Sequence, residues 1–183
     1  MTDKRQILCI GLDGATWHIL RPRMARGELP NLKRLCEAGA TGGLDSILPP
    51  ETPAAWPSFM TGKNPGKHGV FDFLVYNPDT RTERPVNSTL REGRTIWDYL
   101  TAAGQTSLVL NVPTTYPVTP LNGAMISDFL TPPGATDYTY PRELRAELEA
   151  EYGTYPHFFE SMQFVVSHSK GNAERYLDEL ERM

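Results

Sequence analysis

The stretch PPETPAAWPSFMTGKNPGKHGVFDF, from Pro49 to Phe73, constrains the chain more than any other. Pro49-Pro50 stops whatever strand precedes it, and Pro53 suits the first turn of a helix, where its missing N–H is no loss. That makes Thr52 the expected N-cap of a helix over roughly residues 53–60, a hydroxyl beside unpaired amides and the positive end of the helix dipole. Such a position favours phosphate and developing negative charge. Thr52 is either a plain cap or a nucleophile placed for anion chemistry. Gly62 and Gly66 then enclose three residues, where a phosphate-binding P-loop needs four, and His68 stands where Ser or Thr should, so a Walker motif is excluded.

The second constraint is GLDGATW at 11–17. Gln6 to Gly11 is a short apolar run bounded by charge and glycine, the pattern of a buried parallel strand. Asp13 would then lie just past the strand's carboxyl end, where open α/β sheets place their ligands. It is either a metal carboxylate there or the first residue of an Asx turn built on Asp13-Gly14.

The remaining periodicity is that of an α/β domain. Helices are expected over 30–38, with Leu32, Leu35 and Cys36 facing the sheet and Gly39 as C-cap, over 95–103 with Gly104 after it, and over 141–152 and 172–182. Strands are expected over 41–48, 105–112 and 124–129. The polar segment 77–93 reads as a loop or short exposed hairpin, and Asn111 falls at a strand's carboxyl end. With 183 residues, one domain over 1–183 is expected. The final helix ends at the chain end without a C-cap, which reads as truncation more than a domain boundary.

A formal charge of -4, with 18 basic and 22 acidic residues and no run of five or six like charges, disfavours a nucleic-acid polymer as partner. No segment approaches the roughly 20 apolar residues of a membrane span. The first apolar run is too short for a signal peptide, so a cytoplasmic location is expected. Cys9 and Cys36 form no C-x-x-C pair and read as two reduced, buried thiols.

GLDGATW together with TPAAWPSFMTGKNPGKHGVFDF resembles the alkaline phosphatase superfamily, in its type I phosphodiesterase and nucleotide pyrophosphatase branch. Asn111-Val112-Pro113 and Ser127-Asp128-Phe129-Leu130-Thr131-Pro132 are similar to the same branch. The resemblance implies a three-layer α/β sandwich around a mainly parallel sheet, incomplete in this chain, and a pair of divalent cations, usually zinc. It implies Thr52 as nucleophile and metal contact and Asp13 as a metal-binding aspartate, acting on a small phosphate-ester substrate. It also implies that His68 is structural. The branch's other metal ligands come from Asp-x-x-x-His and Asp-His-Gly motifs that this sequence does not contain. Little metal binding or turnover is therefore expected from the chain alone, and a non-catalytic phosphate-binding or interaction domain on the same scaffold is the alternative.

Overall fold

The computed structural model describes residues 6–153, and the helix expected over 172–182 lies outside them. The fold is mixed α/β, with short helices and two small sheets, in two compact units that meet at Ser46 and Ile47.

The first unit contains two helices. Helix α1 (Trp17–Ala25) starts where the Thr16 hydroxyl accepts the His18 N–H at 3.1 Å. Helix α2 (Pro30–Ala38) starts on its proline as expected, and Gly39 closes it in an extended rather than left-handed conformation. The Trp17 indole N–H donates to the Gly42 carbonyl at 2.9 Å, tying the start of α1 to the chain beyond α2.

Several expectations fail in this unit. Residues 6–11 and 41–48 form no strand, and Ile7 and Leu44 are 92% and 96% exposed. An apolar run becomes a strand only when a neighbour takes up its backbone groups, and no ladder reaches these segments among the described residues. Cys9 lies on such a segment and is exposed, while Cys36 is half-buried; both thiols are free, but neither is buried as expected. On α2, Leu32 and Cys36 are half-buried and Leu35 is exposed.

The second unit carries the core. Helix α3 (Thr52–Thr61) is followed by Gly62 in the left-handed conformation and by one turn, α4 (Pro65–His68). A hairpin pairs β1 (Leu74–Asn77), which reaches the polar segment only at Asn77, with β2 (Thr82–Pro85), which lies within that segment and is exposed as the sequence suggests, and a 3-10 turn follows over Ser88–Leu90. Helix α5 (Ile96–Ala102) begins with a capping box in which Thr95 and Asp98 satisfy each other's amides.

Strand β3 (Ser107–Leu110) runs parallel to β4 (Gly123–Ile126), and β5 (Thr139–Tyr140) pairs antiparallel on the far side of β4. Helix α6 (Glu143–Tyr152) completes the described chain. Met60, Trp97, Val109, Leu121 and Met125 form the buried core, with Trp56, Val112, Val118 and Tyr140 packed against it. Helix α3 is thus anchored to the parallel pair through Met60 and Trp56. Strand β3 is not the two-sided buried strand its composition suggests, because only Val109 faces the core while Leu108 and Leu110 are exposed. The described elements bear out a mixed α/β fold.

Gly123 is opposite Ser107 in the parallel register and has φ +141°, a conformation closed to other residues. A Cβ there would collide with the Ser107 carbonyl oxygen. Gly123→Ala is expected to lower stability by about 2–4 kcal/mol in urea unfolding, the sum of backbone strain and a forced strand separation. A loss below about 0.5 kcal/mol would mean the two strands do not pair in this register.

Candidate functional site

Thr52 is the first residue of α3, not its cap: Glu51 takes the N-cap position without a side-chain hydrogen bond. Pro53 contributes no amide, and the Glu51 carbonyl accepts the N–H groups of both Ala54 (3.0 Å) and Ala55 (2.8 Å). The row of unpaired amides expected around Thr52 is therefore largely consumed, and the helix dipole is what remains to favour an anion there. Thr52 itself is half-buried.

Beneath this turn lies a hydrogen-bond relay. The Ser58 hydroxyl donates to the Ala54 carbonyl at 2.8 Å and contacts His68 Nε2 at 2.9 Å. His68 Nδ1 accepts the Val70 N–H at 3.2 Å, so the neutral ring carries its proton on Nε2 and donates it to Ser58. The Ser-His pair superficially resembles a nucleophile and base. It cannot act as one, because the imidazole's second nitrogen is bound to an amide rather than oriented by a carboxylate, and the ring is fully buried. Its effect is to clamp α4 under the first turns of α3 and so hold the backbone that carries Thr52, the structural role the resemblance implied.

Burial lowers the His68 pKa, and the positive charges of Arg91 and Lys63 add to this. A group that protonates less readily when folded contributes stability that is present above its unfolded pKa and is lost as pH falls. Stability is therefore expected to decline on acidification below about pH 6.5. His68→Gln, which keeps a donor to Ser58 and cannot titrate, should cost about 1–3 kcal/mol at pH 7 and flatten that decline. Thermal unfolding of both proteins from pH 7.5 to 5 checks this, and parallel curves would exclude His68 as the acid-sensitive group.

Asp13 is in the first unit, in a turn with Gly14 at φ +65°. It is exposed, and its Asp-Gly pair lies in a turn that no strand precedes. Asp13 and Thr52 thus belong to different units. The fit of these residues to a metal pair is incomplete: among the described residues no three His, Cys, Asp or Glu side chains gather into a group able to hold a metal ion. A zinc site needs three or four protein ligands.

At the carboxyl ends of β3 and β4, two loops are joined by groups that residue spacing alone does not reveal. Asp128 is fully buried, and its Oδ2 accepts the Thr115 N–H while Oδ1 accepts the Leu130 N–H, both at 2.6 Å. Ser127 and Thr131 hydroxyls meet at 2.6 Å beside it. Asn111 and Thr114 in the facing loop have left-handed backbones, φ +54° and +66°, and Asn111 is exposed. Non-glycine residues in that region are uncommon and concentrate at sites the surrounding structure over-determines. Arg91 reaches the same loop, donating from Nη1 to the Thr114 carbonyl at 3.2 Å.

No described helix is long and apolar enough to cross a membrane. Comparison with curated proteins and with solved structures gave no match. The family model for type I phosphodiesterase / nucleotide pyrophosphatase matches residues 7–178, a span that includes Asp13, the whole of α3, the His68 clamp and both strand-end loops. The chain belongs to the type I phosphodiesterase / nucleotide pyrophosphatase family.

Proposed function

We propose that this chain contributes to hydrolysis of a small phosphate ester, with Thr52 as the nucleophile. The observation that carries this is a hydroxyl-bearing, half-buried first residue of α3, at the positive end of the helix dipole, in a chain of this hydrolase family. The His68–Ser58–Ala54 relay keeps that turn fixed, so the hydroxyl needs little reorganisation to meet a phosphorus atom. Attack by Thr52 Oγ1 would form an oxygen–phosphorus bond and release the leaving alcohol or phosphate, and hydrolysis of the phosphothreonine by water would regenerate the hydroxyl.

Enzymes of this family are typically metal-dependent. A bound cation pair, zinc in the usual case, would supply a lowered pKa for the attacking oxygen and charge neutralisation at phosphorus. Asp13 and Thr52 are the candidate ligands this sequence offers. They fall short of a complete set, so no step is assigned to the metal. The second reading, a non-catalytic phosphate-binding domain, is favoured by the same shortage of gathered ligands. Hydrolysis of bis-p-nitrophenyl phosphate, with and without added zinc, separates the two. Activity that disappears in Thr52→Ala supports the hydrolase, and activity indifferent to that change removes Thr52 from the chemistry.

A further inference from the structure

We propose that Arg91, Lys63 and the Thr114 hydroxyl form a second oxyanion site, separate from Thr52 and suited to a phosphate group. Arg91 is half-buried, yet its hydrogen bonds go to neutral atoms, the Met60 sulfur at 3.1 Å and the Thr114 carbonyl at 3.2 Å. Its Nε–H is buried with no partner, and so is the hydroxyl of Thr114, a residue with no solvent exposure. Two orphaned polar groups, one on each side of a hydrogen bond that already joins their residues, mark a place where an oxygen-rich group fits.

The charge balance points the same way. Among the described residues neither Arg91 nor Lys63 has a carboxylate within ion-pair distance, and Asp98 acts on Arg91 only at longer range. Both cations are close enough to depress the titration of His68. Lys63 is drawn to the same segment, since its Nζ would sit 2.6 Å from a Cβ placed on Gly93, two residues past Arg91. A substituent at Gly93 would displace that ammonium, so glycine there keeps room for it. A guanidinium taken partly out of water without an anion is costly, and a planar fork with a vacant Nε–H is the geometry that binds phosphate through paired N–H groups.

The site is not the nucleophile's. Met60 is eight residues after Thr52 on α3, which at 1.5 Å per residue puts Arg91's anchor about 12 Å further along the helix. The ligand is either free inorganic phosphate or the pendant phosphate of a larger molecule. Both share the chemistry that this pair of cations recognises.

Thermal unfolding of the full chain in sodium phosphate against sodium chloride of equal ionic strength tests the proposal. Phosphate should raise the melting temperature in a saturable way, and Thr52→Ala should show the same rise, so the result stands or falls apart from the hydrolase assignment. Lys63→Gln, at a partly exposed side chain, should raise the half-saturating concentration several-fold, and Arg91→Lys, which keeps the charge and loses the fork, at least tenfold. Repeating the titration with a nucleoside monophosphate identifies the source: the lower half-saturating concentration marks free or pendant phosphate as the ligand. No phosphate-specific rise in the wild type, or a rise unchanged in Lys63→Gln, would overturn the proposal even if Arg91→Lys did not fold.

Discussion

Thr52→Ala is expected to reduce hydrolysis of bis-p-nitrophenyl phosphate by about 10³-fold or more, the scale on which removal of a covalent nucleophile acts. Thr52→Ser, which keeps the hydroxyl and drops a methyl group, should retain activity within about tenfold, because the attacking atom and its helix position persist. The structure makes this a clean comparison. The first turn of α3 is closed by the Glu51 carbonyl, and the helix is pinned by the Ser58–His68 contact. Alanine is a good helix former, so the melting temperature should move by no more than about 2 °C. Equal loss in Thr52→Ser and Thr52→Ala, with both folded, would point to a structural threonine. Unchanged activity in both would leave the reaction to another group.

Where local chemistry decides structure, the chain was readable from its residues. Pro30 and Pro53 open α2 and α3 near the expected positions, α5 falls within the expected 95–103, and β2 of the exposed hairpin lies in the polar run. Helix α1 escaped notice because Pro22 interrupts it and it has no apolar face to reveal it. Residues 6–11 show the opposite failure: composition identifies a strand-forming run, but pairing belongs to the partner, and composition carries no information about that. Family motifs singled out Thr52 and Asp13, while the groups that fix the geometry came from contacts across ten or more residues. His68 meets Ser58 ten positions away, and Asp128 meets Thr115 thirteen away. The roles of the two imidazole nitrogens follow from those contacts, and no periodicity encodes them. The N-cap position of Thr52 failed for a local reason, since Glu51 supplies the first accepting carbonyl.

Asp128→Ala is expected to destabilise the second unit by about 3–5 kcal/mol, the scale for removing a buried group that satisfies two amides and leaves a cavity. Asp128 ties the loop after β4 to the loop after β3, so its loss strands the buried Thr115 amide and the part-buried Leu130 amide. The pH dependence then decides what state the carboxyl holds. Burial raises its pKa, against the pull of the Thr115 and Leu130 amides. The Thr115 hydroxyl, 2.6 Å from the Val112 carbonyl and 3.2 Å from Asp128 Oδ2, donates to the carboxylate as well and adds to the amides' pull. A carboxyl whose pKa is raised by folding contributes stability that is fully present below its unfolded value of about 3.9 and is lost as pH rises through the folded value. The cost of Asp128→Ala should therefore be larger at pH 4.5 than at pH 7.5 when both proteins are unfolded in urea. Comparing variant with wild type at each pH cancels the opposite contribution of His68, which both proteins share. A cost that grows with pH would mean the amides outweigh burial and Asp128 stays ionised, a fixed negative charge at the carboxyl ends of the parallel strands that would repel the phosphate this family acts on.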